Sequence, residues 1–178
     1  MINKLIYNIG HSTRSFEEFL QLLNSFDIKC VADIRSYPGS RRYPQFNKEE
    51  LSRSLAEAEI IYKHLPELGG RRKVSKDSKN VAWRNPSFRG YADYMETDEF
   101  KDGIIRLEKI AIQNITAFMC SEAVWWRCHR SMVSDYMKWK GWNVQHILTI
   151  NKSEEHPFTK PARITDGGLD YSGSLLSH

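Results

Sequence analysis

A chain of 178 residues, 40% apolar and 27% charged, is long enough for one domain with a proper core and short for two. No apolar run approaches the roughly 18 residues that a membrane-spanning helix needs, which excludes such a span. The net charge of +4 hides an uneven distribution, because residues 35–89 hold thirteen Lys and Arg against six Asp and Glu. That segment is either a solvated basic face or the footprint of a phosphate-bearing ligand or nucleic acid.

Met1 to Ile6 runs into a strand-like segment without the apolar stretch and small-residue cleavage site of a signal peptide. The three cysteines, Cys30, Cys120 and Cys128, are odd in number and unevenly spaced, as in a reducing compartment. A cytoplasmic protein with free thiols is expected. Leu5 to Ile9 reads as a strand closing on Gly10-His11-Ser12, where glycine permits a sharp turn. Ser15 with Glu18 forms a capping-box pattern, and Phe16, Phe19, Leu20, Leu23 and Phe26 follow at helical spacing.

Cys30 to Ile34 is a second strand, closing on Arg35 before the Tyr37-Pro38-Gly39 turn. Asn47 with Glu50 offers another capping box for a helix buried through Leu51, Leu55 and Ala58, and Ile60 to Leu65 reads as a third strand. Leu68-Gly69-Gly70-Arg71-Arg72-Lys73 then opens a polar, basic loop reaching about Arg89; loops of this length inside a compact domain are functional or disordered. Tyr91, Tyr94 and Met95 start a helical pattern, and Ile104, Leu107 and Ile110 continue one after Thr97.

Ile115 to Met119 is a fourth strand, and a helix from about Cys128 to Lys140-Gly141 follows it, with a basic last turn and a glycine stop. Val144 to Ile150 is a fifth strand. The alternation predicts a single three-layer α/β domain over residues 1–150, a mainly parallel sheet of about five strands with helices on both faces. Residues 151–178 read as a loop-rich C-terminal tail lying against that domain.

In such sheets ligands sit beyond the carboxyl ends of the strands, and here those ends carry His11 and Ser12, Asp33 and Arg35, and Cys120 with Glu122. Cys128 precedes a helix beside Arg127, His129 and Arg130, a setting that stabilises a thiolate; the alternative is a small buried hydrophobe. Glu122 and Asp33 are candidates for proton transfer or for structural ion pairs with Arg130 or Arg35. Zinc is disfavoured, since seven residues separate the thiols and adjacent Cys128 and His129 diverge on a helix. No cofactor motif is present. Guanidinium forks match phosphate oxygens, and Gly69-Gly70 beside Arg71 lets a backbone approach a ligand.

Six ordered motifs carry a resemblance: Ile9-Gly10-His11-Ser12; Asp33-Ile34-Arg35 with Pro38 and Ser40-Arg41; Pro44-Gln45-Phe46; Leu65-Pro66-Glu67-Leu68-Gly69-Gly70; Cys120-Ser121-Glu122; and Cys128-His129-Arg130. Over roughly residues 5–150 the chain resembles the domain-of-unknown-function 488 family. The resemblance implies positions for a site and no reaction. The expected catalytic set is Glu122, Cys128, Asp33 and His11. The expected binding set is Ser12, Arg35, Ser40, Arg41, Gly69, Gly70, Arg71, Cys120, His129 and Arg130. The expected function is an enzyme on an anionic, phosphate-bearing or nucleotide-like substrate. A nucleotide or nucleic-acid binding module without chemistry is the alternative.

Overall fold

A computed structural model describes residues 2–173. Five strands run parallel: β1 (Leu5–Gly10), β2 (Cys30–Asp33), β3 (Ile61–His64), β4 (Thr116–Cys120) and β5 (Asn143–Thr149). A sixth, β6 (Lys152–Glu155), joins β5 antiparallel, giving the order β3-β2-β4-β1-β5-β6. The expected three-layer α/β arrangement is present. The sheet extends one strand beyond residue 150, and β7 (Arg163–Thr165) and β8 (Gly168–Asp170) form a hairpin in the segment read as loop.

Five helices cover the sheet: α1 (Phe16–Ser25), α2 (Lys48–Glu57), α3 (Pro86–Tyr94), α4 (Asp98–Gln113) and α5 (Arg130–Trp139). Alternate strand side chains sort them to two faces. Phe19, Leu23, Leu51 and Leu55 of α1 and α2 pack with Ile9, Val31, Ala117 and Met119. On the other face Tyr91 of α3, Phe100 and Leu107 of α4, and Met132 and Met137 of α5 pack with Ile6, Ala32, Phe118 and Val144. Each such buried side chain contributes roughly 1.5–3 kcal/mol, so tertiary burial rather than helix propensity holds these helices. Among the described residues no helix is long and apolar enough to cross a membrane.

Local signals set the ends. Ser15 and Glu18 form the capping box that opens α1, whereas Asn47 precedes α2 without a side-chain cap. Its Oδ1 instead accepts from the Ser40 N–H at 2.5 Å, closing the loop over residues 40–47. A carboxamide spent on a loop cannot also cap a helix. Asn85 caps α3 by accepting from Ser87 and Phe88 N–H groups, with Pro86 at the first helical position. The helix therefore begins five residues before the apolar pattern at Tyr91 announces it.

The connections place a crevice. The chain leaves β1 through α1 toward β2, while it leaves the neighbouring β4 through α5 toward β5. Adjacent strands whose connections depart in opposite directions make a switch point, where the loops beyond the carboxyl ends part. The His11 and Ser12 N–H groups donate to the Cys120 and Ser121 carbonyls at 3.0 and 2.9 Å, fixing both loops at the crevice floor.

Candidate active site

A cleft of about 850 Å³ opens at this switch point, within the roughly 300–1,000 Å³ typical of small-ligand pockets. The ends of β1, β2 and β4 supply its floor through His11 and Ser12, Arg35, and Cys120 with Glu122. Cys128 and His129, just ahead of α5, form one wall. Ser40, Gly70 and Arg71 come from the loops after β2 and β3. Ten of the fourteen residues expected at the site thus line one cleft, and Asp33, Arg41, Gly69 and Arg130 do not.

Asp33 is fully buried behind Arg35. Its two oxygens accept from Arg35 Nε and Nη2 at 2.9 and 2.8 Å, from the Arg35 N–H at 3.1 Å and from Tyr62 Oη at 2.5 Å. Such a carboxylate has no oxygen left for a substrate, so Asp33 buttresses Arg35. Arg35 Nη2 also donates to the Phe46 carbonyl at 2.7 Å, which leaves Nη1 facing His11 Nε2 at 3.4 Å. His11 Nδ1 lies 2.8 Å from the Ser12 carbonyl. A carbonyl only accepts, so Nδ1 carries the proton and Nε2 presents a lone pair. Burial first, and then the Arg35 charge, lower the His11 pKa to about 4; the ring stacks on Phe46 at 4.3 Å.

His129 follows the same logic. Nε2 lies 2.9 Å from the Ile34 carbonyl, so it holds the proton, and Nδ1 offers a lone pair to Cys128 Sγ at 3.4 Å. Burial keeps this imidazole below its ordinary pKa. Cys128 Sγ also receives the Arg130 N–H at 3.4 Å and lies 2.8 Å from Cys120 Sγ. Burial pushes the Cys128 thiol up, yet the Cys120 hydrogen bond and the Arg130 guanidinium and N–H outweigh it, leaving the pKa lowered. Burial, reinforced by Cys128, raises Cys120 well above the ordinary thiol range. Cys120 therefore keeps its proton, and once Cys128 has lost its own the 2.8 Å contact is a Cys120 S–H donating to the Cys128 thiolate.

Arg130 lies beneath the floor, 2% exposed. Its Nη2 reaches the Ala123 carbonyl at 3.4 Å, while Nε and Nη1 have no hydrogen-bond partner among the described residues. Gly10 makes room for it: a Cβ there would collide with the Glu122 carbonyl and the Arg130 guanidinium. Gly69 is required in the same way, since a Cβ there would collide with the side chain and backbone of Ser36. Arg41 is exposed on the loop after β2. Ser12 and Arg71 both line the cleft with left-handed backbone, at φ 53° and 62°. Such strain in non-glycine residues concentrates at functional sites.

Three features escaped the residue pattern. Arg127 lines the cleft, and its place beside Cys128 was the available signal. Asn85, Ser87 and Phe88 bring in the first turn of α3, signalled by the Asn-Pro cap, and Tyr91 follows from the next turn. Tyr37, 81% exposed, stands in the lining. Trp125, by contrast, is spent on packing: it stacks on His146 at 4.4 Å and donates to Glu154 at 3.0 Å.

The cleft's charges are unequally used. Neither Arg71 nor Arg127 has a hydrogen-bonding or ionic side-chain partner among the described residues, and the same holds for the Glu122 carboxylate. Two free cations, one free carboxylate and an activated thiol can together bind an anion and carry out covalent chemistry on it. Residues 15–137 match the model of a family described as Domain of unknown function DUF488. No curated protein and no solved structure matches the chain.

Proposed function

The chain belongs to the DUF488 family, and from the geometry of its cleft we propose that it is an enzyme acting on an anionic, phosphate-bearing substrate of nucleotide size. The observation that carries this reading is the gathering of unpaired charges in one cavity, which Arg71, Arg127 and Glu122 line together with Cys128. A protein that merely needed a charged surface would let these groups neutralise one another.

Arg71 and Arg127 hold phosphate oxygens, and Arg35, locked by Asp33, fixes the floor. Cys128 attacks the substrate as its proton passes to His129 Nδ1, 3.4 Å away. The Sγ–P bond forms as the bond from phosphorus to the leaving group breaks and the leaving group departs with the His129 proton; water, giving a proton to Glu122, then attacks phosphorus and breaks the Sγ–P bond, and that proton returns to Sγ. Tyr37 and Phe88 offer aromatic faces to a base or comparable ring.

The test is a panel of phosphate esters and nucleotides assayed for turnover, with binding followed by calorimetry. Cys128→Ser and Glu122→Gln should each lower turnover by about 10²–10⁴-fold with an unchanged circular-dichroism melt. Full activity in both variants, or no binding of any panel member at low salt, overturns the reading.

The exposed Tyr37, Arg41 and Arg42 on one loop favour a second reading, single-stranded nucleic acid as the ligand. Affinity for oligonucleotides would then fall steeply with salt, and a flat salt profile would discard it.

A further inference from the structure

We infer that Cys120 and Cys128 form a two-electron redox pair, which a hydroperoxide entering the cleft converts to a disulfide. The two sulfurs stand 2.8 Å apart, so closing to the roughly 2.05 Å of a disulfide requires less than about 1 Å of movement. Both are free thiols, and both line the open cleft. Each comes from an anchored piece of backbone. The Cys120 carbonyl, at the end of β4, accepts from the His11 N–H, and the Cys128 N–H donates to the Trp125 carbonyl at 3.4 Å.

The surroundings assign the two roles. Cys128 Sγ receives the Arg130 N–H and can pass its own proton to the His129 Nδ1 lone pair, so it is the sulfur that becomes the thiolate and attacks. Cys120, buried at the strand end and 1% exposed, keeps its proton and resolves. The Cys128 thiolate attacks the near oxygen of the peroxide, the O–O bond breaks, and the alkoxide or hydroxide leaves with a proton from water. Cys128 is then a sulfenic acid. The Cys120 sulfur displaces its hydroxyl, which departs as water with the Cys120 proton, and the S–S bond is complete. Two equivalents of a small thiol reverse the reaction and become a disulfide themselves.

Cys30 is a built-in control. It opens β2 at the far end of the strand from the cleft, lies outside the lining, and burial pushes its pKa up to about 11. The consequence for turnover rests on the proposed function, since the bridge would occupy the nucleophile. The bridge itself does not depend on that reading.

The experiment treats the full chain with hydrogen peroxide, blocks remaining thiols with N-ethylmaleimide under denaturing conditions, and maps tryptic peptides. Trypsin cuts after Lys109, Arg127 and Arg130, so the bridge would join residues 110–127 to Cys128-His129-Arg130. Expected are the loss of two of the three blockable thiols, that linked pair, and full recovery with dithiothreitol. Cys120→Ser should stop at a dimedone-reactive sulfenic acid on Cys128. Retention of all three thiols, a bridge to Cys30 or to a second chain, or sulfinic acid on Cys128 with Cys120 still blockable overturns the inference. The wild-type map needs no variant to fold. A bridge in a protein that turns over no phosphate ester would sink only the proposed function, and turnover without a bridge only this inference.

Discussion

Helix α5 carries two buried polar clusters built by opposite rules. In its middle Asp135 is saturated: Oδ1 accepts from His156 Nε2 at 2.8 Å and the Thr159 N–H at 2.9 Å, Oδ2 from Thr159 Oγ1 at 2.5 Å and Tyr171 Oη at 2.7 Å. From His156 the chain of bonds runs on to His146 and Asn8, each step under 3 Å. At its start Arg130 is buried with two donor nitrogens unused, next to a thiol of lowered pKa. A buried network that is complete rigidifies a fold, and one left open stores electrostatic potential for something else. The Asp135 cluster ties the segment after β6 to the body of the domain; the Arg130 end charges the cleft.

The largest effect expected from this contrast concerns stability. Asp135→Asn turns an acceptor into a donor facing groups that already donate, and should cost about 3–5 kcal/mol. Arg130→Met removes a cation that has no carboxylate partner among the described residues, and should change stability by less than about 1 kcal/mol while slowing alkylation of Cys128 at neutral pH. Urea denaturation reads the first quantity and iodoacetamide kinetics the second. Were Arg130→Met to unfold the protein as readily as Asp135→Asn, the two clusters of α5 would not differ in kind.

The saturation that separates these clusters is the part of the site that residue order conceals. The strands were legible because buried parallel strands read as apolar runs, and Gly10-His11, Asp33 to Arg35 and Cys120 to Glu122 stand where each run stops. Asp33 looked as available as Glu122, since the group that completes its coordination, Tyr62, lies 29 residues away and reaches it only through the β2–β3 pairing. β6 escaped notice because Lys152-Ser153-Glu154-Glu155 has no apolar rhythm; its strand state comes from backbone bonds to β5. The start of α3 was hidden by a first turn, Pro86-Ser87-Phe88-Arg89, that offers one ring to the core, Phe88, and so shows no apolar period of its own.

A second effect tests the contrast through pH. The folded pKa of His11 is about 4 against 6.5 for the free side chain, so below pH 6.5 the unfolded chain gains a proton that the folded protein refuses. The His11 contribution is whole above pH 6.5 and is lost as pH falls toward 4, a span worth about 3 kcal/mol. His146, lowered by burial and then by His156 and Arg130, acts with the same sign. His11→Gln should remove about one proton of slope from the unfolding free energy between pH 6.5 and 4. An unaltered slope across a urea series at pH 7, 6, 5 and 4 would place His11 in contact with water rather than beneath Phe46.

The smallest effect separates saturation from location. Asn85 lines the cleft, yet its Oδ1 already accepts from the Ser87 N–H at 2.8 Å and the Phe88 N–H at 3.4 Å. If unused valence marks the working groups, this residue belongs with Asp135 despite its address. Asn85→Ala should then cost about 1 kcal/mol of stability, the usual worth of a helix cap, and Asn85→Ser, which caps through its hydroxyl, should restore most of it. Affinity for a phosphate ester would move by less than about twofold in either variant, because a spent acceptor contributes little to binding. A loss of affinity in Asn85→Ala that Asn85→Ser does not restore, on an unchanged denaturation curve, would mean that the amide reaches the ligand, and that position rather than saturation decides which cleft residues act.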